Sequence, residues 1–272
     1  MLKEAFFVPI MIIGLGLLFY LTFGLFLYLN QELKLFRPSP DEDFKACHSF
    51  PDSVKKMDDE GTRFFIEERN KRRKSAIVFF HGNAHSSCAF PNFYHFFDDI
   101  NKSIIMSVYP GYAGDDNTPK VLAVKKYTHE LFEYLFSKGY KSENITVVGY
   151  SLGTAFASYA SQEFNISNVV LLAPMSSVLD MAKRSFPLYP IDIMLKEHLD
   201  LGEMLSWNAK NVLIFHGSND PTVPARLSEK LQNTLAKKNI EVNRVLLENE
   251  DHGSIFYNES LKEGIIDFVK KR

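Results

Sequence analysis

Apolar residues divide the chain into three zones. From Phe6 to Leu29 the sequence reads FFVPIMIIGLGLLFYLTFGLFLYL, without one charged residue. At about 1.5 Å of rise per residue, a helix of this length crosses a hydrocarbon core of roughly 30 Å with some tilt. From Asn30 to Glu60, Pro38, Pro40 and Pro51 interrupt a segment made acidic by Asp41, Glu42, Asp43, Asp58, Asp59 and Glu60. Beyond it, short continuous apolar runs alternate with longer stretches of helical period. The pattern predicts a membrane anchor over residues 1–30, a linker and entry segment over 31–60, and one α/β domain over 61–272.

Within that domain the apolar runs predict strands at Thr62–Glu67, Ser75–Phe80, Ile104–Val108, Ile145–Val148, Val169–Leu172, Val212–Phe215 and Val242–Leu247. Uninterrupted apolar runs of this length suit parallel strands buried on both faces. Helical patterns fall between them, at Ala89–Asp99, Val121–Lys138, Leu152–Glu163, Ala225–Lys237 and Ser260–Lys270. Repeated alternation of strand and helix implies a doubly wound, mostly parallel sheet with helices on both faces. Residues 175–208 break the regularity, with Pro187 and Pro190 inside a Met- and Leu-containing stretch. Such an insertion serves either as a small lid over an apolar pocket or as an ordinary connecting helix pair. The basic tip Asn70–Lys74 (NKRRK) reads as a solvated turn, with contact to anionic lipid as the alternative.

The N-terminal run is longer than the apolar core of about 7–15 residues usual in a cleaved signal peptide, and no A-x-A site follows it. A retained single-pass anchor is therefore expected, with residues 6–29 in the membrane. Lys3 and the α-amino group precede it and Lys34 and Arg37 follow, so the positive-inside rule assigns no orientation. A composition of 46% hydrophobic and 24% charged residues supports a packed core rather than disorder. A net charge of −2 gives no electrostatic reason to expect nucleic-acid binding. Cys47 and Cys88 form no CxxC pair, so neither a zinc ribbon nor a dithiol redox motif is supported, and their pairing stays open.

The candidate chemistry gathers at the ends of the predicted strands, where α/β sheets bind ligands. Gly149-Tyr150-Ser151-Leu152-Gly153 lies between the ITVV strand and a helix. A serine hydroxyl is a weak nucleophile and needs a fixed, exposed geometry beside a base. A tight strand-to-helix turn supplies that geometry, and the helix N-terminus favours developing negative charge. His81-Gly82-Asn83-Ala84 follows the SAIVFF strand. Backbone N–H groups of Asn83 and of Leu152 are the expected donors to an oxyanion, while His81 shapes the loop. Asp220, in HGSNDPTVP at 216–224, is the expected acid, and His252, in EDHG at 250–253, the expected base. The order Ser151, Asp220, His252 suits a strand–turn–helix nucleophile. Asp251 is a rival acid, but a residue next to a histidine in sequence rarely faces its imidazole. His85 is the remaining histidine most expected to touch substrate, and with His81 it lacks a third ligand for a metal.

These motifs, together with YPGY at 109–112 and APMSSVLDMA at 173–182, resemble those of the BEM46-like α/β-hydrolases over about residues 60–270. The resemblance implies the α/β-hydrolase fold, Ser151 as nucleophile, Asp220 as acid, His252 as base, and Asn83 and Leu152 as oxyanion donors. An N-terminal membrane span is seen among those relatives. The expected reaction is hydrolysis of an acyl ester or thioester through an acyl-serine, without metal or organic cofactor, on a small-molecule or, favoured by the anchor, a lipid or lipidated substrate. The alternatives are an amidase or peptidase with the same triad, or a non-catalytic membrane-tethered binding module. Departures from the family pattern, such as His85-Ser86 after HGNA, Ala113 after YPGY and Gly253 after His252, touch no triad member.

Overall fold

The computed structural model describes residues 2–59, 61–70, 72–205 and 209–272, residues 2–8 by their backbone alone. Lys71 of the predicted basic turn and residues 206–208, which end the predicted insertion, lie outside the described residues. Among the described residues, eight strands form one sheet: β1 (Lys55–Asp59), β2 (Thr62–Glu67), β3 (Ala76–Phe80), β4 (Ser103–Val108), β5 (Ile145–Tyr150), β6 (Asn168–Leu172), β7 (Asn211–Gly217) and β8 (Glu241–Leu247). Their order in space is β1-β2-β4-β3-β5-β6-β7-β8. β1 and β2 form an antiparallel hairpin, and β2 pairs antiparallel with β4. From β4 to β8 all pairing is parallel. β3 has β4 on one side and β5 on the other, so the winding reverses there and opens a crevice at the carboxyl ends of β3 and β5.

The apolar runs form strands because β3, β4, β5 and β6 are buried along their whole length. The helices are α1 (Leu2–Leu29), α2 (Gln31–Leu35), α3 (Pro91–His95), α4 (Val121–Ser137), α5 (Gly153–Phe164), α6 (Val178–Ser185), α7 (Ile191–Met194), α8 (Leu201–Met204), α9 (Arg226–Ala236) and α10 (Glu259–Lys270). The predicted elements are met closely in β2, α4, α5, α9 and α10. The helix expected over Ala89–Asp99 shrinks to α3 plus a 3-10 turn at Ser87–Ala89. Pro91 starts α3, and Phe93, Tyr94 and Phe97 around it are buried, so tertiary packing rather than helical period shapes this segment. β1 went unpredicted because its sequence, KKMDD, is that of an exposed edge strand, where charge blunts further pairing.

The linker expected over 31–60 is instead largely part of the domain. It carries α2 and β1, and it buries Phe36, Phe44 and Cys47. Burying one phenylalanine contributes about 1.5–3 kcal/mol, enough to hold a segment that lacks a period of its own. The segment also donates Arg37 N–H to the Asn83 carbonyl at 3.0 Å and Ser39 N–H to the Ala84 carbonyl at 2.9 Å. Cys47 and Cys88 are joined in a disulfide, which answers the pairing left open by the sequence. α1 is long and apolar enough over Pro9–Leu29 to cross a membrane, and only 11% of that window is buried. A core helix of a soluble domain would be mostly covered; this one presents Ile13, Phe19 and Leu29 outward. The insertion folds as α6, α7 and α8, with Ser177 and Asp200 bridging its base.

Candidate active site

Ser151 sits on the turn between β5 and α5 with φ of +52°, a conformation uncommon for a residue with a side chain. Two glycines permit the turn. A Cβ on Gly153 would lie 2.1 Å from the Phe80 carbonyl oxygen, and one on Gly149 would lie 2.5 Å from the Gly153 carbonyl oxygen. The N-terminus of α5 therefore presses directly on the backbone end of β3, and Ser151 is lifted between them. Its N–H donates to the Leu172 carbonyl at 2.9 Å, and its carbonyl accepts from Thr154 N–H at 3.0 Å. This holds the strained backbone from both sides.

His252 arrives on the loop after β8 and reaches Ser151 Oγ through Nε2 at 3.0 Å. Its other nitrogen, Nδ1, lies 2.6 Å from Asp220 Oδ2. A carboxylate only accepts, so Nδ1 carries the proton and Nε2 is left to accept from the serine hydroxyl. Tyr150 fixes the loop from behind. Its hydroxyl donates to the His252 carbonyl at 2.9 Å, and its ring lies 5.0 Å from the imidazole.

Asp220 is buried on the loop after β7. Burial opposes its ionisation, but hydrogen bonds from His216 and His252, the His252 charge and the Val223 N–H outweigh it and hold the carboxyl well below the usual carboxylate range. Oδ1 accepts from Thr222 N–H at 2.9 Å and Val223 N–H at 2.8 Å. Asp251 is turned elsewhere: it accepts from Ser254 N–H at 2.7 Å and Gly253 N–H at 2.9 Å, and those bonds lower its pKa on the surface.

His216, to which no role is assigned from sequence, has a fully buried side chain. Its Nε2–H donates to the Val223 carbonyl at 2.7 Å and lies 3.3 Å from Asp220 Oδ2, the same oxygen that His252 contacts, so it braces the acid. Its Nδ1 has no hydrogen-bond partner among the described residues. The signal was present in the HGSND spacing, which puts a histidine four residues before the aspartate. Tyr150 was equally visible, as the residue before the serine, but nothing in its neighbours foretold the reach to His252.

The expected oxyanion donors flank the serine. Both Asn83 and Leu152 line the cavity beside Ser151, and no acceptor is found for either N–H among the described residues. The Asn83 carbonyl accepts from Arg37 N–H and, at 2.7 Å, from the Tyr112 hydroxyl, which fixes the peptide behind that residue. His81 lies beneath the loop. Burial pushes its pKa down to about 3. Its Nδ1–H donates to the Gly82 carbonyl at 2.8 Å and Nε2 accepts from Tyr109 N–H at 3.2 Å, so it is a neutral strut. His85 is exposed and lies 3.0 Å from Glu42, whose other oxygen accepts from Ser86 N–H at 2.7 Å.

Two cavities open onto Ser151. One, of about 220 Å³, is walled by Met175, Val178, Met181 and Phe186 of the insertion and by Leu27 and Leu35 of the N-terminal helices. The other, of about 330 Å³, runs past His85, Asn92, His252 and Tyr257. An acyl group and its leaving group can thus occupy opposite sides of one serine. Among the described residues no cluster of three His, Cys, Asp or Glu side chains is arranged to hold a metal ion.

The model of the dienelactone hydrolase family matches residues 116–270, more than half of the sequence. The chain belongs to the dienelactone hydrolase family. That match covers the Ser151 turn, the Asp220 loop and the His252 loop. A protein of Mycoplasma pneumoniae bearing the name "Putative esterase/lipase 3" is 32% identical over 115 residues, 41% of each chain. An uncharacterised protein of Mycobacterium tuberculosis strain H37Rv is 26% identical over 133 residues, 48% of this chain and 47% of that one. The matches thus span less than half the length of these curated relatives. Among solved structures, an esterase of the planctomycete Thermogutta terrifontis, with butyrate bound, has a TM-score of 0.59 at 16% identity, over 80% of this chain and 94% of that one. The capsule O-acetyltransferase of Neisseria meningitidis serogroup A has a TM-score of 0.60 at 17% identity, over 81% and 96%. Such likeness shows the α/β-hydrolase fold, as expected from the alternating strands and helices. The family is a hydrolase family, and this chain is a member of it.

Proposed function

We propose that this chain is a serine hydrolase that cleaves acyl esters or thioesters, with Ser151 as nucleophile, His252 as base and Asp220 as acid. The observation that carries the reading is the unbroken hydrogen-bond chain from Asp220 through His252 to Ser151 Oγ, at the junction of two cavities. His252 Nε2 takes the hydroxyl proton as Oγ attacks the acyl carbon. Asn83 and Leu152 N–H groups receive the oxyanion. The imidazolium then gives its proton to the departing alcohol or thiol, leaving an acyl-serine. A water, deprotonated in turn by His252, attacks that ester, and the acid leaves as Ser151 regains its proton. The family and the esterase among its relatives support the ester reading; the motifs at 81–84, 149–153 and 216–224 support a BEM46-like placement.

We further propose that α1 is a retained anchor and that the hydrolase domain lies in an oxidising compartment. The Cys47–Cys88 disulfide supports that side, because such bonds persist where thiols are not kept reduced. The test of the chemistry is a fluorophosphonate probe followed by peptide mapping. Ser151 is expected to carry the label, and Ser151→Ala to lose both label and ester hydrolysis. Full labelling of the alanine variant at another serine would overturn the assignment.

A further inference from the structure

The larger part of the apolar cavity wall that is not strand-end loop comes from two places: the insertion, and the end of α1 together with α2. Leu27 and Tyr28 at the end of α1, with Gln31, Lys34 and Leu35 of α2, face Val178, Met181, Phe186, Ile191 and Met194 across it. The two sides are fastened to each other. Tyr20 stacks on Tyr189 with ring centroids 4.5 Å apart, and the Tyr20 hydroxyl donates to the Leu188 carbonyl at 2.8 Å. The Tyr189 hydroxyl returns to the Tyr20 carbonyl at 3.1 Å. Gln31 bridges lower down, donating to the Met194 carbonyl at 2.8 Å and accepting from Lys196 N–H at 3.0 Å.

The level of these contacts along α1 matters. Tyr20 precedes Leu29 by nine positions, about 14 Å along a helix axis. If Pro9–Leu29 spans the hydrocarbon, the tip of the insertion at Leu188–Tyr189 reaches about half-way into a 30 Å layer rather than resting above it. The exposed side chains of the insertion fit that depth. Leu188 is 80% exposed and Ile193 is 82% exposed, two large apolar residues left mostly uncovered by the described residues. Of the exposed charged groups on the insertion, Lys183 and Asp192 pair with each other at 2.6 Å, and two lysines stand over aromatic rings near the end of α1. Lys196 Nζ sits 4.3 Å above the Tyr28 ring and Lys34 lies over Phe26, as amphipathic side chains do at an interface.

We infer that the α6–α7 insertion dips into the bilayer beside α1, and that the two together form an acyl channel whose occupant is a fatty acyl chain already seated in the membrane. The inference rests on the reading of Ser151 as nucleophile. α1 is then a wall of the substrate site as well as a tether. The chain enters from the lipid phase between α1 and the insertion, its carbonyl meets Ser151, and the leaving group lies in the second cavity on the His85 side.

The test uses the full-length protein in phosphatidylcholine vesicles and compares kcat/KM on p-nitrophenyl decanoate and p-nitrophenyl acetate. Each methylene drawn into the channel is expected to raise kcat/KM by about fourfold until the cavity is filled. Gly24→Leu would drive a side chain into Tyr189, whose ring is 2.9 Å from the Cβ position, and part α1 from the insertion. That variant is expected to keep acetate hydrolysis and fluorophosphonate labelling while losing at least tenfold on decanoate. Leu27→Trp, which fills the wall, is expected to lower the decanoate-to-acetate ratio by a similar factor. An unchanged ratio in both variants overturns the channel while leaving Ser151 in place; loss of labelling-dependent acetate hydrolysis from the wild type would instead remove the nucleophile reading, and the inference with it. Two arms distinguish the sources of the chain: fatty acid released from the vesicle phosphatidylcholine, or from an S-palmitoyl peptide in the same vesicles. Release in either arm supports the inference, and release in neither overturns it. Depth has its own readout. Leu188→Trp in vesicles of bromine-labelled phosphatidylcholine is expected to be quenched beyond the parent protein, and quenching no greater than the parent's overturns insertion.

Discussion

The two walls of the cavity at Ser151 are built by opposite means. The strand-end wall, made of the turns after β3, β5, β7 and β8, is held by backbone hydrogen bonds and by contacts so close that glycine is required. The outer wall, made of α1, α2 and the α6–α7 insertion, is held by a few tyrosine, glutamine and methionine contacts and turns apolar side chains outward. The first wall fixes atoms that must meet within hydrogen-bond reach, where small displacements are costly to chemistry. The second, on the inferred role, would only exclude water and accommodate methylenes, for which shape and apolarity suffice. On the proposed reading, chemistry and substrate range would be carried by separable parts of the chain.

Substitutions on the two walls should differ accordingly. The largest effect is expected for Gly153→Ala. Its new Cβ would meet the Phe80 and His81 carbonyl oxygens at 2.1 and 2.5 Å, backbone atoms that cannot give way. We expect a loss above about 4 kcal/mol, seen as absence of folded protein by circular dichroism. A variant with near wild-type melting would show the strand-end wall to be softer than described. Cys47→Ser comes next. The disulfide closes a loop with a sequence separation of 41 between the entry segment and the loop that carries Asn83. Its removal should cost about 2–4 kcal/mol in chemical denaturation, with a raised m-value because the uncrosslinked denatured chain is more expanded.

A third, smaller effect concerns pH. Asp220 has a depressed pKa in the folded state, so its contribution to stability is fully present above the carboxylate's unfolded pKa of about 3.9 and is lost as pH falls through the lower folded value. Melting followed between pH 3 and pH 7 should therefore show the difference between Asp220→Asn and wild type beginning to narrow at the acid end of that range, with the rest lost only at lower pH. A gap that stays constant down to pH 3 would contradict the depressed pKa. The smallest effect is expected on the outer wall. Gln31→Ala removes two bonds between α2 and the insertion, both on exposed or half-buried groups, and should cost no more than about 1.5 kcal/mol each at most and less where water replaces them. A collapse of the fold on this change would erase the distinction between the walls.

The same contrast explains what could be read from the sequence. The strand-end wall was legible because its elements announce themselves: continuous apolar runs ending in HGNA, GYSLG or HGSND have few alternative folds. The outer wall was not. Leu27, Tyr28 and Leu35 were visible only as parts of an anchor and a linker, since no local period shows that a membrane-type helix also lines a cavity. The entry segment was misjudged for a related reason. Phe36, Phe44 and Cys47 are single anchors spaced among prolines and acids, and their burial depends on partners far along the chain. β1 was hidden because an exposed edge strand carries charge on both faces. The role of His216 exists only once the loop after β7 carries Asp220 back onto it.

The central claim is that Asp220, through His252, serves Ser151. Asp220 and Asp251 lie on either side of that claim: both are acidic and close to the base in space or in sequence, and only Asp220 touches the imidazole. The direct measurement is kcat on a short-chain p-nitrophenyl ester for Asp220→Asn and Asp251→Asn, with circular dichroism to verify folding. Asp220→Asn should lower kcat by roughly 10⁴-fold, the size of the same change in a serine-protease triad. Asp251→Asn should lower it by about tenfold or less, roughly 1.4 kcal/mol. Two folded variants with Asp251→Asn the more damaging would contradict the assignment.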